Sequence, residues 1–157
     1  MAITQAIANS FKQQLLEAKQ NFLASGSGGN TFKLALYSSS ATLSSATTVY
    51  TTTNEVSNSG SYSAGGGVLV NSGTSISAGV ARTTFANLSF TSATITARGA
   101  LIYNTSQSNA AVCVLNFGTD KTATSGTLPS TCCTPCIRIA IATTLSSAVE
   151  SIVTYAN

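Results

Sequence analysis

The sequence predicts a mainly β protein, an antiparallel β-sandwich of jelly-roll-like form with one N-terminal amphipathic α-helix. Three observations carry this. Residues 94–117 read as a β-hairpin, with an arm rich in β-branched and apolar residues over 93–103, a polar loop NTSQSN at 104–109 and a second apolar arm over 110–117. About seven or eight short strand-like runs are separated by Gly, Ser, Asn and Thr, and no alternating βαβ pattern interrupts them. In the first 22 residues, Ile3, Ile7, Phe11, Leu15, Ala18 and Phe22 recur at intervals of three or four, the spacing of one helix face.

In chain order, the helix occupies residues 1–25 and stops at Gly26, Gly28 and Gly29. Packed on its own sheet it belongs to the core; docked on a neighbour it is an assembly arm, and the length of the apolar face favours the first. The body spans 30–157, and the whole of 1–157 reads as a single domain, large enough to bury a core. Residues 31–37 (TFKLALY) alternate Phe32, Leu34 and Leu36 against Lys33, Ala35 and Tyr37, a strand with one buried face. Residues 38–67 form a long Ser/Thr-rich excursion with isolated anchors at Leu43, Val49, Tyr50, Val56 and Tyr62. Loops of this length inside a domain usually have a function, and an uncharged one suits contact with protein. These anchors, with Phe11 and Phe22 of the helix, are the expected subunit-contact residues. Further strands are expected at 68–70, within 75–90, at 136–142 (CIRIAIA) and at 149–155; 144–153 reads as strand in preference to a second helix because of its Ser and β-branched content.

On the second arm of the hairpin Cys113, Leu115 and Phe117 share one face while Val112, Val114 and Asn116 share the other. Both faces are largely apolar, which places the hairpin centrally, between other layers.

Composition restricts function. Charged residues make up 7% of the chain, against about 25% in an average soluble domain, while 43% is hydrophobic, so the chain folds rather than staying disordered. A neutral surface with a net charge of +3 gives little electrostatic protection against self-association, which suits a homo-oligomer or a subunit covered by neighbours. Lys12, Lys19, Lys33, Arg82, Arg98, Lys121 and Arg138 are scattered, which argues against nucleic acid. No apolar run reaches the roughly 20 residues of a membrane span, and the N-terminus lacks the pattern of a secretory signal, so synthesis in a cytoplasm is expected.

Histidine is absent, and the four acids, Glu17, Glu55, Asp120 and Glu150, lie in separate segments. The usual triads and general bases are therefore missing, no catalytic residue is assigned, and the chain reads as a non-enzyme with no cofactor. Cys113, Cys132, Cys133 and Cys136 are the one cluster with metal or redox chemistry. Four thiols can hold zinc, but one CxxC beside an adjacent Cys132 and a solitary Cys113 lacks paired knuckles. Structural thiols and disulfides within or between subunits remain open beside the metal reading, and redox catalysis fits least.

The succession ITQAIANSFKQQLLEAKQNF, NTFKLALYSSSATL, TTVYTTTNEVSNSGSYSAGG, SATITARGALIYN and AVCVLNFGTDKT, spread over residues 3–122, resembles small structural proteins of tailed bacteriophages and prophages. The Cys-bearing segment 129–136 departs from that pattern. The resemblance implies a virion component with no catalytic residues, and the expected role is a capsid decoration (cement) subunit bridging major capsid proteins. A tail, neck or fibre-associated subunit is the alternative within that class. A carbohydrate-binding sandwich is a distant one, since the chain has no Trp and five Tyr with which to build a stacking platform.

Overall fold

The structure, a computed structural model, describes residues 2–126, 138–141 and 151–154. Their alternating apolar patterns produce two antiparallel sheets and one α-helix, a mainly β, sandwich-like fold. The main sheet has the order β1-β7-β6-β2-β3, formed by β1 (Ala6–Ile7), β2 (Phe32–Tyr37), β3 (Gly67–Leu69), β6 (Ala93–Asn104) and β7 (Ala110–Gly126). The second has the order β4-β5-β8-β9, from β4 (Asn71–Ser77), β5 (Val80–Phe85), β8 (Arg138–Ile141) and β9 (Ser151–Thr154). Successive strands pair within a sheet, as β2–β3, β4–β5, β6–β7 and β8–β9, so the jelly-roll comparison reaches no further than the two-sheet class. Strands β8 and β9 fall within the runs expected at 136–142 and 149–155, whose other residues lie outside the described ones, and the expected 75–90 run resolves into the β4–β5 hairpin.

The β6–β7 hairpin sits inside the main sheet, with β2 on its other side and a one-turn 3₁₀ helix (Thr105–Gln107) at its tip. The second arm runs on to Gly126, past Gly118, because a register shift opposite Ala97–Gly99 absorbs extra residues while the ladder resumes at Lys121.

Opposed residues in an antiparallel ladder project from the same face. Leu34 faces Ile102 and Leu36 faces Ala100, while Ala35 faces Leu101 and Leu101 faces Val114. All of these are buried. The expectation of one buried face for β2 is therefore corrected: Ala35 and Tyr37 are as inaccessible as Leu34 and Leu36. Each face of the central strands has its own cover.

The first cover is aromatic. Phe22 stacks on Phe32 of β2 at 4.6 Å, and Phe85 of β5 meets Phe32 edge-on at 5.5 Å, which joins the second sheet to the first. Phe11 packs edge-on against Phe22 at 5.9 Å. These contacts hold the N-terminal segment on its own sheet. The helix itself is shorter than the expected 1–25: α1 spans Asn9–Leu16. Ile3 and Ile7 precede it in extended chain, and Ala6 and Ile7 pair with Val114 and Cys113 as β1. A spacing of four is even, so a period-2 strand puts Ile3 and Ile7 on one side as readily as a helix does. The helix ends where Ala18 turns left-handed at φ 54°, and hydrogen bonds of Asn104 to Gln20 (2.7 Å) and Asn30 (3.0 Å) fasten the exit segment to the tip of β6.

The second cover is the excursion 38–67. Its backbone pairs with the outer side of β7 (Tyr50 N–H to the Asn109 carbonyl, 2.9 Å; Ala111 N–H to the Thr48 carbonyl, 2.8 Å) and then with β2 (Val56 N–H to the Leu36 carbonyl, 2.9 Å). Gly66, at φ +72°, lets it re-enter the sheet as β3; a Cβ there would overlap the Leu34 carbonyl. Among the described residues no helix is long and apolar enough to cross a membrane.

Removal of residues 1–25 is expected to abolish cooperative unfolding of the subunit, because Ile3, Ile7 and Phe11 are buried and Phe22 packs against the core. Phe11→Ala should cost about 3–5 kcal/mol, whereas Leu16→Ala, at 91% exposure, should stay within about 0.5 kcal/mol of wild type. Thermal and urea unfolding of the three variants measures this; a truncated chain with an unchanged melting temperature would show that the N-terminal segment lies outside the core.

Candidate functional site

The densest convergence of polar chemistry lies under the excursion. Glu55, the sole charged residue of 38–67, is carried to the end of β2, where it bridges Tyr37. Four of the five tyrosines gather around it: Tyr37 from the end of β2, Tyr50 and Tyr62 from the excursion, and Tyr103 from β6, opposite Lys33. Glu55 Oε1 accepts from the Tyr62 hydroxyl (2.7 Å) and from Gly65 N–H (2.7 Å), and Oε2 accepts from the Tyr50 hydroxyl (2.5 Å). The Tyr62 oxygen in turn accepts from Leu36 N–H at 2.9 Å. Tyr103 donates to the Gly65 carbonyl (2.6 Å) and stacks on Tyr50 with centroids 4.6 Å apart, and Tyr37 donates to the Thr51 carbonyl (2.5 Å).

The electrostatics follow from burial beside an anion. Burial, then the Glu55 charge, pushes the Tyr103 hydroxyl up to about 12. The same causes raise Tyr37 further. Tyr50 and Tyr62 also rise, chiefly through burial, with their hydrogen bonds to Glu55 adding to it. All four phenols are therefore neutral donors at ordinary pH. Three donors from this chain occupy the Glu55 carboxylate, an arrangement suited to holding a loop in place. It is a latch that ties the excursion to the sheet.

The seven expected subunit-contact residues differ in how far this chain's own core takes them up. Leu43, Tyr62 and Phe11 are core residues of this chain, and Tyr50, Val56 and Phe22 pack against that core. Of the seven, Val49 alone keeps half its surface, at 50% exposure. The physical reason is that both faces of the central strands are apolar, so the nearest apolar side chains in the sequence are drawn onto them. Cys113 is a free thiol buried on β7, its pKa pushed up to about 12 by burial; Cys132, Cys133 and Cys136 lie outside the described residues. Among the described residues no group of three or more His, Cys, Asp or Glu converges. Asp120 pairs with Arg98 at 2.6 Å and Glu17 with Lys19 at 2.7 Å, both on the surface, and Glu150 lies outside the described residues.

Sequence reasoning took Tyr50 and Tyr62 as anchors and missed their common partner. One signal pointed to it: a lone acid in thirty otherwise neutral residues. Comparison with protein-family models, curated proteins and solved structures finds no match to the chain.

Glu55→Gln keeps one acceptor but sets an amide N–H₂ where a hydroxyl or Gly65 N–H now donates, and should cost about 1.5–3 kcal/mol. Tyrosines with raised folded pKa values contribute stability that is complete below their unfolded pKa of about 10 and lost as pH rises through the folded values, about 12 for Tyr103. Alkaline titration should therefore release tyrosinate absorbance together with loss of the near-ultraviolet dichroism, and Glu55→Gln, which removes the charge that adds to the rise, should move ionisation of the latch tyrosines to lower pH. Ionisation of more than one of the five tyrosines near pH 10 with the fold intact would show that the latch is open in solution.

Proposed function

We propose that the chain is a non-enzymatic structural subunit of a tailed-phage virion, a capsid decoration (cement) protein that bridges neighbouring major capsid proteins. The observation that carries this reading is the closure of the Glu55–tyrosine latch: the hydrogen bonds of Glu55, Tyr37, Tyr50, Tyr62 and Tyr103 all run to groups of the chain's own fold. The resemblance of residues 3–122 to small tailed-phage structural proteins supports the same class. So does the nearly uncharged Ser/Thr surface, which associates with protein more readily than a charged one.

In this reading the protein acts by burying surface between neighbours on the particle, and a body covered on both faces of its main sheet supplies a rigid spacer. Partners are the major capsid protein or other virion subunits, with no role for nucleic acid or membrane. A tail, neck or fibre position is the alternative within the class.

Mass spectrometry of gradient-purified particles, followed by cryo-electron microscopy, tests the proposal. The expected result is stoichiometric incorporation, with density for a two-sheet subunit over junctions of the capsid lattice, and particles lacking the protein that lose integrity at lower temperature or on chelation. Density in the tail or neck would replace the decoration role with the alternative. Absence from purified particles would overturn the virion reading.

A further inference from the structure

The outer edge of β4 is unlike the two edges of the main sheet. β1 is two residues long, and β3 has the Leu88 and Phe90 side chains against Gly67. β4 ends the second sheet, and among the described residues no strand lies on its outer side. Its residues 74–77 are all exposed. They carry no Lys, Glu or Pro, the usual protections of an open edge.

The hairpin geometry says which backbone groups are free. β4 and β5 are joined by the two-residue turn Ala78-Gly79, with φ of 51° and 76°, the type I′ pattern. Such a turn closes on a hydrogen-bonded pair, here Ser77 with Val80, and hydrogen-bonded and open pairs alternate from there. Ser75 therefore bonds inward to Arg82, while Thr74 and Ile76 turn their N–H and C=O groups outward.

Two further observations lie on the same edge. Ile76 is 78% exposed, an apolar residue among Ser and Thr. Two residues away, Thr74 lines a largely apolar cleft of about 90 Å³ between α1 and the hairpin, with Phe11, Leu15, Phe22, Ala81, Thr83 and part of Arg82. The cleft has room for one branched aliphatic side chain. Ile76 and Thr74 project from the same face of β4.

We propose that this edge is a self-pairing surface: a second copy of the chain adds its own β4, antiparallel, about a two-fold axis at Ser75. Only this register sets Thr74 against Ile76 of the other copy twice, so that all four outward backbone groups on each strand segment find partners. It also places each Ile76 beside the Thr74 at the mouth of the other copy's cleft, on the same face. The contact is isologous, so knob and hole are used by both copies. Charge permits it. β4 is neutral, and the Arg82 residues opposite Ser75 on each β5 have backbones about three strand spacings apart, roughly 14 Å, beyond a Debye length of about 8 Å.

Four edge residues and one knob on each side fall below the roughly 1,200 Å² of a standard stable interface. The pair is therefore weak, forming at high protein concentration or where copies are held close together, whichever particle or partner holds them.

Substituted cysteines read the register directly. Under mild oxidation Ser75→Cys is expected to give a reducible dimer band well above that of wild type, because the two Cβ atoms face each other in an open pair at about 4.5–5.5 Å. Ser77→Cys, two residues farther from the axis in each copy, should give no more than wild type. In unsubstituted protein, amide exchange at Thr74 and Ile76 should slow with rising concentration while that at Ser75 and Ser77 stays constant, and Ile76→Lys should weaken association at least tenfold in sedimentation equilibrium with the melting temperature of the monomer kept. Equal cross-linking at 75 and 77, or a wild-type chain that stays monomeric with concentration-independent exchange at Thr74 and Ile76, would overturn the proposal.

Discussion

The constraint on which everything else rests is that β2, β6 and β7 are apolar on both faces. A sheet with one apolar face needs one cover; this one needs two, and the chain supplies both from its own length. The N-terminal segment with the second sheet covers the face that carries Phe32, Leu34 and Leu36, and the excursion 38–67 covers the face that carries Ala35, Tyr37 and Leu101. Burial of a large apolar side chain is worth roughly 1.5–3 kcal/mol, so leaving either face open would cost more than the net stability of an ordinary domain. Assembly cannot be what first buries these residues, since the monomer could not fold without them.

The second cover has a problem that the first does not. Residues 38–67 hold few apolar side chains and much Ser and Thr, which gain little by leaving water. The Glu55 latch addresses this by concentrating charge-assisted hydrogen bonds, the strongest available to a neutral segment, where the excursion turns back toward β3. Three donors on one carboxylate offset its partial desolvation, and one of them, the Tyr62 hydroxyl, belongs to a fully buried side chain. Tyr50 and Tyr62 supply ring area to the core and a hydroxyl to the latch, where Phe at either position would leave Glu55 short of a donor.

Much of the main sheet was legible because period-2 alternation is a local signal. The β6–β7 hairpin, its loop at 104–109 and the strand at 32–37 could be read residue by residue, and the two-faced apolar pattern of 110–117 already implied a central place. Ambiguity arose where two periods coincide: a spacing of four fits both a helix and a strand, and Ile7 fell to β1, with Ile3 in the chain before it, because pairing with β7 was open there. The candidate site was legible only in fragments. Tyr37, Tyr50, Tyr62 and Tyr103 converge on Glu55 through strand register and a chain reversal, and no local pattern encodes either. Leu43, Tyr50, Val56 and Tyr62 read as anchors for a neighbouring subunit, and their packing on the chain's own second face could be foreseen only by knowing that β2 is buried on both sides.

Having two covers also decides what is left over for recognition. Large side chains that could serve as interface anchors are consumed inward, so the outer surface keeps Ser, Thr and backbone, with few apolar exceptions such as Ile76 and Val49. Such a surface has few charges with which to repel a wrong partner. Selectivity must then come from geometry: which edges are closed, and by what. The excursion and β1 close the outer side of β7, Leu88 and Phe90 crowd β3, and Ser25 and Ala24 occupy the start of β4. Four residues of β4 escape this closure, and they are the residues whose side chains are least able to deter pairing. In a chain this poor in charge, an edge left open is therefore a binding surface by default, and its specificity is set by register, by the exposed Ile76 and by the cleft beside it.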